Sequence, residues 1–541
     1  MATQLQSAAE LARGLPALAG TLQALESSKS SAFDEKVVDV ESLEDLNVLY
    51  GHVIKDGVRV PISWTKDEER RVVRKADMFL LPIFTILFFW MALDRTNVSG
   101  VLTTTFLKDT GITRDEANTG TSLLWLGIVL LEIPSNIILQ RVGAHVWIPV
   151  QVVLWGLAEV LTMFVKNASG WYAARIFLGL LESGFIPGAL YTLSRWYTRA
   201  ELAKRTTIFF FGPSISAAFG SLIAAGCIRI HGHLGLLGWQ WIFVICGAST
   251  ITAGVLALVL LPKSPRHTAG GIRGKGWFTE READVFLARI QTDDPLKEAE
   301  AATMHIGFKD VLSVLADWRI WPHLIMCLSG LQSVGGLGVW GATIIKSLGF
   351  TAINANLLSV PGPLLTCVTG PLLAWVVDHY AVYGLSITFV AVWTLAGLIA
   401  LYSLPIVAGT ASWGFYAALV VTLASPSWQP LNVTWLSLSM RTPQRRAIAY
   451  AVYIGCSNLG GTYGNQVFRG NDAPKYRKAW AACLSLGAVW LAFTLAQTAQ
   501  YWWTNKQKER KWAALSEEEK ERYLATTTED TGRRLDFRYP V

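Results

Sequence analysis

DMFLLPIFTILFFWMALDRTNVSG, residues 77–100, decides the fold. From Met78 to Leu93 it carries no charge, and then Asp94 and Arg95 arrive side by side. About 20 apolar residues in a helix cross the ~30 Å of hydrocarbon in a bilayer, so this stretch predicts a transmembrane helix. Five similar runs follow, at about 118–139, 146–165, 169–192, 206–230 and 240–261. A polar stretch, 262–318, interrupts them, and six more come after it, at about 320–342, 354–377, 383–403, 411–439, 447–467 and 479–503. Pro187, Pro213, Pro361, Pro371 and Pro430 fall inside these runs. Helix breakers are tolerated in membranes because neighbouring helices re-satisfy the freed backbone groups.

Composition agrees. Of 541 residues, 52% are hydrophobic and 16% are charged, against about 25% charged in an average soluble domain. A large soluble enzyme is excluded on that ground. The expected fold class is an all-α membrane protein with 12 transmembrane helices in two six-helix bundles, the layout of two halves rocking about a central site. Direct similarity between the halves is too weak to claim. The expected organisation is a cytosolic N-terminal tail over 1–76, one bundle over 77–261, a cytosolic linker over 262–318, a second bundle over 319–503 and a cytosolic tail over 504–541. No cleavable signal peptide is visible, and the N-terminal tail is expected to be mostly disordered.

The net charge of +7 does not point to nucleic acid, because the basic residues sit beside apolar spans. Arg70, Arg71, Arg74 and Lys75, then Arg195 and Arg199, then Arg441, Arg445 and Arg446, then Lys506, Lys508 and Arg510 all fall on one side. That bias puts both termini in the cytosol, despite Arg469, Lys475, Arg477 and Lys478 opposite. Thr65–Glu68, Thr279–Glu282 and Ser516–Glu519 are capping boxes opening short cytosolic helices. Cys227, Cys246, Cys327, Cys367, Cys456 and Cys483 are scattered through apolar runs. No metal-ligand spacing and no phosphate-binding loop occurs, so no metal, no cofactor and no enzyme activity is expected. Asn167-Ala-Ser169 matches a glycosylation acceptor but lies close to the membrane.

Ionisable residues inside spans carry the functional signal, since each costs on the order of 3 kcal/mol at the bilayer centre. Asp94 and Arg95 either line a cavity or mark the interfacial end of their span. Arg175 and Glu182, seven residues apart, project from one helix face about 10.5 Å apart along the axis, too far to pair directly. Arg175 alternatively snorkels toward the start of its span, whereas Glu182 is mid-span. Glu132 and Glu159, in the second and third spans, are read as structural. Low dielectric favours a protonated acid and a nearby arginine favours an ionised one, so a balanced acid can load and release protons. Arginine offers a planar fork matched to a carboxylate. The set therefore predicts a proton-coupled anion site, with protons and a small organic anion as partners and membrane lipid as the solvent.

Asp94-Arg-Thr-Asn97, Arg175-x6-Glu182 and Ser183-Gly-Phe-Ile-Pro-Gly188 together resemble the anion:cation symporter family of the major facilitator superfamily, in its fungal allantoate permease-like branch. Leu131-Glu-Ile-Pro-Ser-Asn136, Gly238-Trp-Gln-Trp-Ile-Phe243 and Asp472-Ala-Pro-Lys-Tyr476 support it, over roughly 65–505. The resemblance implies the major facilitator fold and alternating access, with Asp94 and Glu182 as proton carriers, Arg95 as the residue linking substrate to proton, and Arg175 supporting Glu182. The superfamily's loop signature between helices two and three is degraded here to Leu139-Gln-Arg-Val-Gly143-Ala-His145, which lacks the usual acid. Trp375–His379 keeps Asp378 in the second half.

Further substrate contacts are expected among polar residues of the C-terminal spans: Gln332, Asn432 and Asn458, with Thr434, Trp435 and Gln466. Gly460, Gly461 and Gly464 allow close helix approach. The expected function is secondary active symport of a vitamin, nitrogen source or other carboxylate by a monomer in the plasma membrane. The alternatives are an exporter of a secondary metabolite by proton antiport and a non-transporting sensor. Drug antiporters often carry Gly-Pro-x-x-Gly-Gly in helix five, and here Gly212-Pro213 is followed by Ser214-Ile-Ser-Ala217 without the glycine pair.

Overall fold

The computed structural model describes residues 48–55, 58–268, 276–293, 308–404, 411–438, 440, 443–473, 475–526 and 534–539. The disorder expected of the first 47 residues lies outside these. Two compact units are present, one of residues 1–50 and 63–67 and one of 51–62 and 68–541. Two strands, Val48–Lys55 and Val58–Thr65, form a two-stranded sheet where the sequence suggested tail. The second unit holds nearly all of the helical bundle.

Ten helices among the described residues are long and apolar enough to cross a membrane. They correspond to predicted spans one to nine and twelve. The tenth span is a pair of shorter helices, Ala411–Leu423 and Gln429–Leu438, parted at Ser425-Pro426. The eleventh is Pro443–Gly464, long enough but diluted by polar residues. The first span starts earlier than predicted, at Lys66, because its Arg- and Lys-rich prelude continues as one helix to Val101. The last runs on from Arg477 to Ala513.

Glycine sets how closely the N-terminal spans cross. A Cβ on Gly179 of the fourth span would lie 2.0 Å from the Leu124 carbonyl of the second, and one on Gly127 2.7 Å from the Ile176 carbonyl. Spans three and six repeat this at Gly156 and Gly247, where a Cβ on Gly247 would lie 2.7 Å from the Gly156 carbonyl. Backbone-to-backbone contact of this kind drives helix association in lipid, where apolar burial does not.

The hydrogen bonds between the two halves gather at the end of the bundle where the second span begins and the seventh ends. Asn118 Nδ2 donates to the Phe468 carbonyl at 2.8 Å and Trp340 Nε1 donates to Asn118 Oδ1 at 2.8 Å. Lys346 Nζ donates to the Thr103 carbonyl at 2.6 Å, Asn356 Nδ2 to Thr103 Oγ1 at 2.8 Å, and Arg114 to the Tyr476 hydroxyl. One apolar core joins both halves there, through Phe106, Trp171, Trp340, Phe468 and Trp480.

At the other end of the bundle, the linker helix Glu280–Asp293 packs on the N-terminal half. Trp277 stacks on Phe79 at 5.1 Å, Phe286 meets Trp196 at 5.6 Å, and Arg289 Nη1 donates to Glu201 at 2.8 Å. Both cap bonds of its predicted box form, between Thr279 and Glu282, as do those of Ser516–Glu519. Beyond the last helix, Tyr539 stacks on Tyr501 at 4.2 Å and exchanges two hydrogen bonds with Asn505.

Two outcomes follow. Gly179→Ala raises helix propensity yet should lower the thermal unfolding midpoint in detergent, because overpacking costs about 1–3 kcal/mol against about 1 kcal/mol gained. Burial opposes ionisation of Glu282, but the Lys75 ammonium and the Thr279 amide outweigh it and hold the carboxyl below its ordinary 4.5. A lowered value stabilises the docked linker above the unfolded value, and that contribution is lost as pH falls through the folded one. Protease cleavage of the linker should therefore accelerate below about pH 4.5, and Glu282→Gln should show the acid behaviour at neutral pH.

Candidate functional site

The first span does not end at Leu93. It stays helical through Asp94 and Arg95 to Val101 and carries both charges inward. Successive helical residues point about 100° apart, so the two side chains part company. Asp94 faces the sixth span, where Thr250 Oγ1 donates to its Oδ2 at 3.0 Å. Arg95 faces the fourth, where its Nε donates to Glu182 Oε2 at 2.6 Å. Its guanidinium also lies over Trp125 of the second span, 5.1 Å from the ring centroid.

The fourth span is not continuous. It runs from Ala168 to Glu182, breaks at Ser183 and Gly184, and resumes over Phe185–Trp196. Glu182 is therefore the last residue of a helical segment, in the middle of the span Ala168–Trp196. Arg175 lies two turns earlier and does not support Glu182 by direct contact. Its Nη1 is 4.0 Å from Glu159 Oε2 of the third span, and its guanidinium packs over Trp171 at 4.2 Å and Phe243 at 5.5 Å. Glu159 also accepts a hydrogen bond from Asn97 Nδ2.

Glu159 is the member that sequence reasoning set aside. Its signal was present: it stands in an uninterrupted apolar run, as Glu182 does, and Asn97 lies one helical turn from Asp94. Asp94, Glu159, Arg175 and Glu182 are each 0–1% exposed, while the Arg95 side chain keeps 13% exposure. Asp94 lies within electrostatic reach of Glu159, Glu182 and Arg175. The structure thus gathers three carboxylates and two guanidinium groups in the N-terminal half. Arg95 is the member of the cluster that keeps partial exposure.

The C-terminal candidates do not join this cluster. Asn432 is committed to its own half: its Oδ1 pairs with His323 Nδ1 at 2.6 Å, and its Nδ2 donates to the His323 carbonyl at 3.2 Å and to Tyr453 at 3.1 Å. Asn458 Nδ2 donates across the halves to Glu132 Oε2 at 3.3 Å, and Gln466 Nε2 to Ser122 at 3.1 Å. Gln332 is wedged among the glycines of span eleven; a Cβ on Gly464 would lie 1.8 Å from its Oε1 and one on Gly460 2.8 Å from its Nε2. A Cβ on Gly461 would lie 2.5 Å from Trp125. Trp125 therefore neighbours both Arg95 and the eleventh span of the opposite half.

The model of the Major Facilitator Superfamily matches residues 84–465. An uncharacterized transporter of Saccharomyces cerevisiae is 30% identical over 88% of each chain. A candidate tartrate transporter of Agrobacterium vitis is 32% identical over 55% of this chain and 63% of its own. Among solved structures, that of a D-xylose–proton symporter superposes with a TM-score of 0.58 at 14% identity, covering 77% of this chain and 96% of its own. The chain belongs to the Major Facilitator Superfamily of membrane transporters.

Proposed function

We propose that this transporter carries out proton-coupled symport of a small organic anion, as in the anion:cation symporter family and its allantoate permease-like branch. It would act in the plasma membrane with both termini in the cytosol, the placement that the basic residues favour. The observation that carries the reading is the Arg95–Glu182 ion pair, 2.6 Å long, in which the arginine keeps partial exposure and the acid has none. A substrate carboxylate and Glu182 compete for one guanidinium fork. Protonating Glu182 frees Arg95 for the anion, and returning Arg95 to Glu182 expels both anion and proton. Proton and substrate are then linked through a single residue.

Charge counting supports a proton on the cluster. Three carboxylates face two arginines, and a buried uncompensated charge is costly. Glu182 has the Arg95 guanidinium and Glu159 has Arg175 and Asn97, whereas Asp94 has the Thr250 hydroxyl and, among the described residues, no ion pair with either arginine. Asp94 is thus the second proton carrier, and Arg175 serves as counter-ion to Glu159. The relative described as a candidate tartrate transporter favours a compact carboxylate as the class of anion. Trp125, between Arg95 and Gly461, would pass occupancy of the site to the C-terminal half.

Labelled tartrate, with a competition panel of small carboxylates, tests this in cells lacking their own permeases. Glu182→Gln should lower accumulation against a gradient by tenfold or more while leaving exchange of anion across the membrane, and Arg95→Lys should abolish both because a point charge cannot replace the fork. Undiminished concentrative uptake by Glu182→Gln would refute the reading. Glu159→Leu should destabilise the fold by about 3–5 kcal/mol by stranding Arg175, and Glu159→Leu with Arg175→Leu should recover most of it. Thermal unfolding of the single and double variants checks this.

A further inference from the structure

Two sequence motifs, Leu131–Asn136 and Ser183–Gly188, are left without a role by the ion pair. The structure makes them one joint. Pro187 removes a helix amide and its ring crowds the carbonyl of Ser183 four residues back, which favours a break there when a glycine precedes it. The fourth span therefore breaks, and Pro187 falls in the first turn of the new segment, where its missing amide would be unpaired anyway. Gly184 makes the turn at φ +79°. Any Cβ there would lie 2.7 Å from Ser135 Oγ, so the break sits directly on the second span.

The break exposes carbonyls at membrane depth, and one side chain covers them. Gln151 Nε2, from the third span, lies 2.8 Å from the Ser183 carbonyl, 2.9 Å from Ser135 Oγ and 3.2 Å from the Leu181 carbonyl, so its two N–H groups are shared among three acceptors. Trp147 Nε1 donates to the same Ser135 oxygen at 3.1 Å. Two of the three atoms around Nε2 are carbonyl oxygens, which only accept, so the amide must present its NH2 group here. Leu181 and Ser183 flank Glu182. The clasp thus holds the backbone on both sides of the carboxylate-bearing residue without touching the carboxylate.

We propose that Gln151 is a positioning residue for Glu182, fixing through the span-four break where the carboxylate sits relative to Arg95. The inference rests on the proton role given above to Glu182. The ionisable groups that face Glu182 are Arg95 from the first span and Arg175 from its own. Asp94 of the first span and Glu159 of the third also act on it electrostatically. None of them contacts Gln151, so changing Gln151 acts on Glu182 through geometry.

Infrared difference spectroscopy on the purified full chain tests this without needing the substrate. The titrating carboxyl band lost in Glu182→Gln identifies Glu182. Gln151→Met keeps length and volume but removes the donor, and it should move the midpoint of that band by about one pH unit or more, equivalent to 1.36 kcal/mol per unit. Ser135→Ala, which removes the seat of the clasp but leaves its carbonyl bonds, should move it less and in the same direction. If Gln151→Met does not fold, Ser135→Ala decides alone. A midpoint unchanged in the folded variants overturns the positioning role and leaves the proton role of Glu182 standing. A Glu182 that shows no titrating band overturns both.

Discussion

A charge in a low-dielectric interior must find a partner, and the N-terminal half is organised around that constraint. Five ionisable side chains from spans one, three and four meet there, and four of them are sealed from solvent. Removing either partner of a buried pair strands the other, at a cost larger than the pair's net worth. The arginines are divided accordingly: Arg95 goes to Glu182 and Arg175 to Glu159. Close packing accompanies this division. The glycine contacts hold the third and fourth spans, which carry Glu159, Arg175 and Glu182, tightly against spans six and two.

Backbone groups obey the same rule as side chains. A carbonyl freed in hydrocarbon needs a donor, and the fourth span places its freed carbonyls beside the amide of Gln151. The tenth span is also broken, at a proline. Discontinuous helices in transporters place irregular backbone next to the working site, and in the fourth span Glu182 stands at the break itself.

How much of this was legible follows from which interactions are local. Span positions were legible because hydropathy is a property of contiguous residues; predicted and observed spans agree within a few residues except at the start of the first and the end of the last. The first was set too late because the charged prelude Lys66–Lys75 breaks the apolar run without breaking the helix. Asp94, Arg95, Arg175 and Glu182 were legible as ionisable residues in apolar context. Their pairing was not, since Arg95 and Glu182 are 87 residues apart and only packing decides which acid an arginine meets. Glu159 shows the limit most plainly: by sequence it is one more acid in a span, and Asn97 and Arg175 become its partners only when three helices are assembled. Asn432 shows the same limit from the other side. Polarity within a span suggested a ligand contact, and only the assembled helices give its partners, His323 and Tyr453.

The division of labour between the halves follows from the same geometry. Every member of the charge cluster belongs to the N-terminal half, so an event there must cross an interface to be felt in the other half. Polar bonds along that interface concentrate where the second span begins and the seventh ends, and deeper along it spans two and eleven meet through Asn458 and Glu132. Trp125 stands on the second span, with the Arg95 guanidinium over its ring and the backbone of Gly461 of the eleventh span close against it. A glycine gives the ring a rigid neighbour, because backbone cannot rotate out of its way as a side chain can. The ring therefore belongs at once to the surroundings of Arg95 and to the interface with the eleventh span.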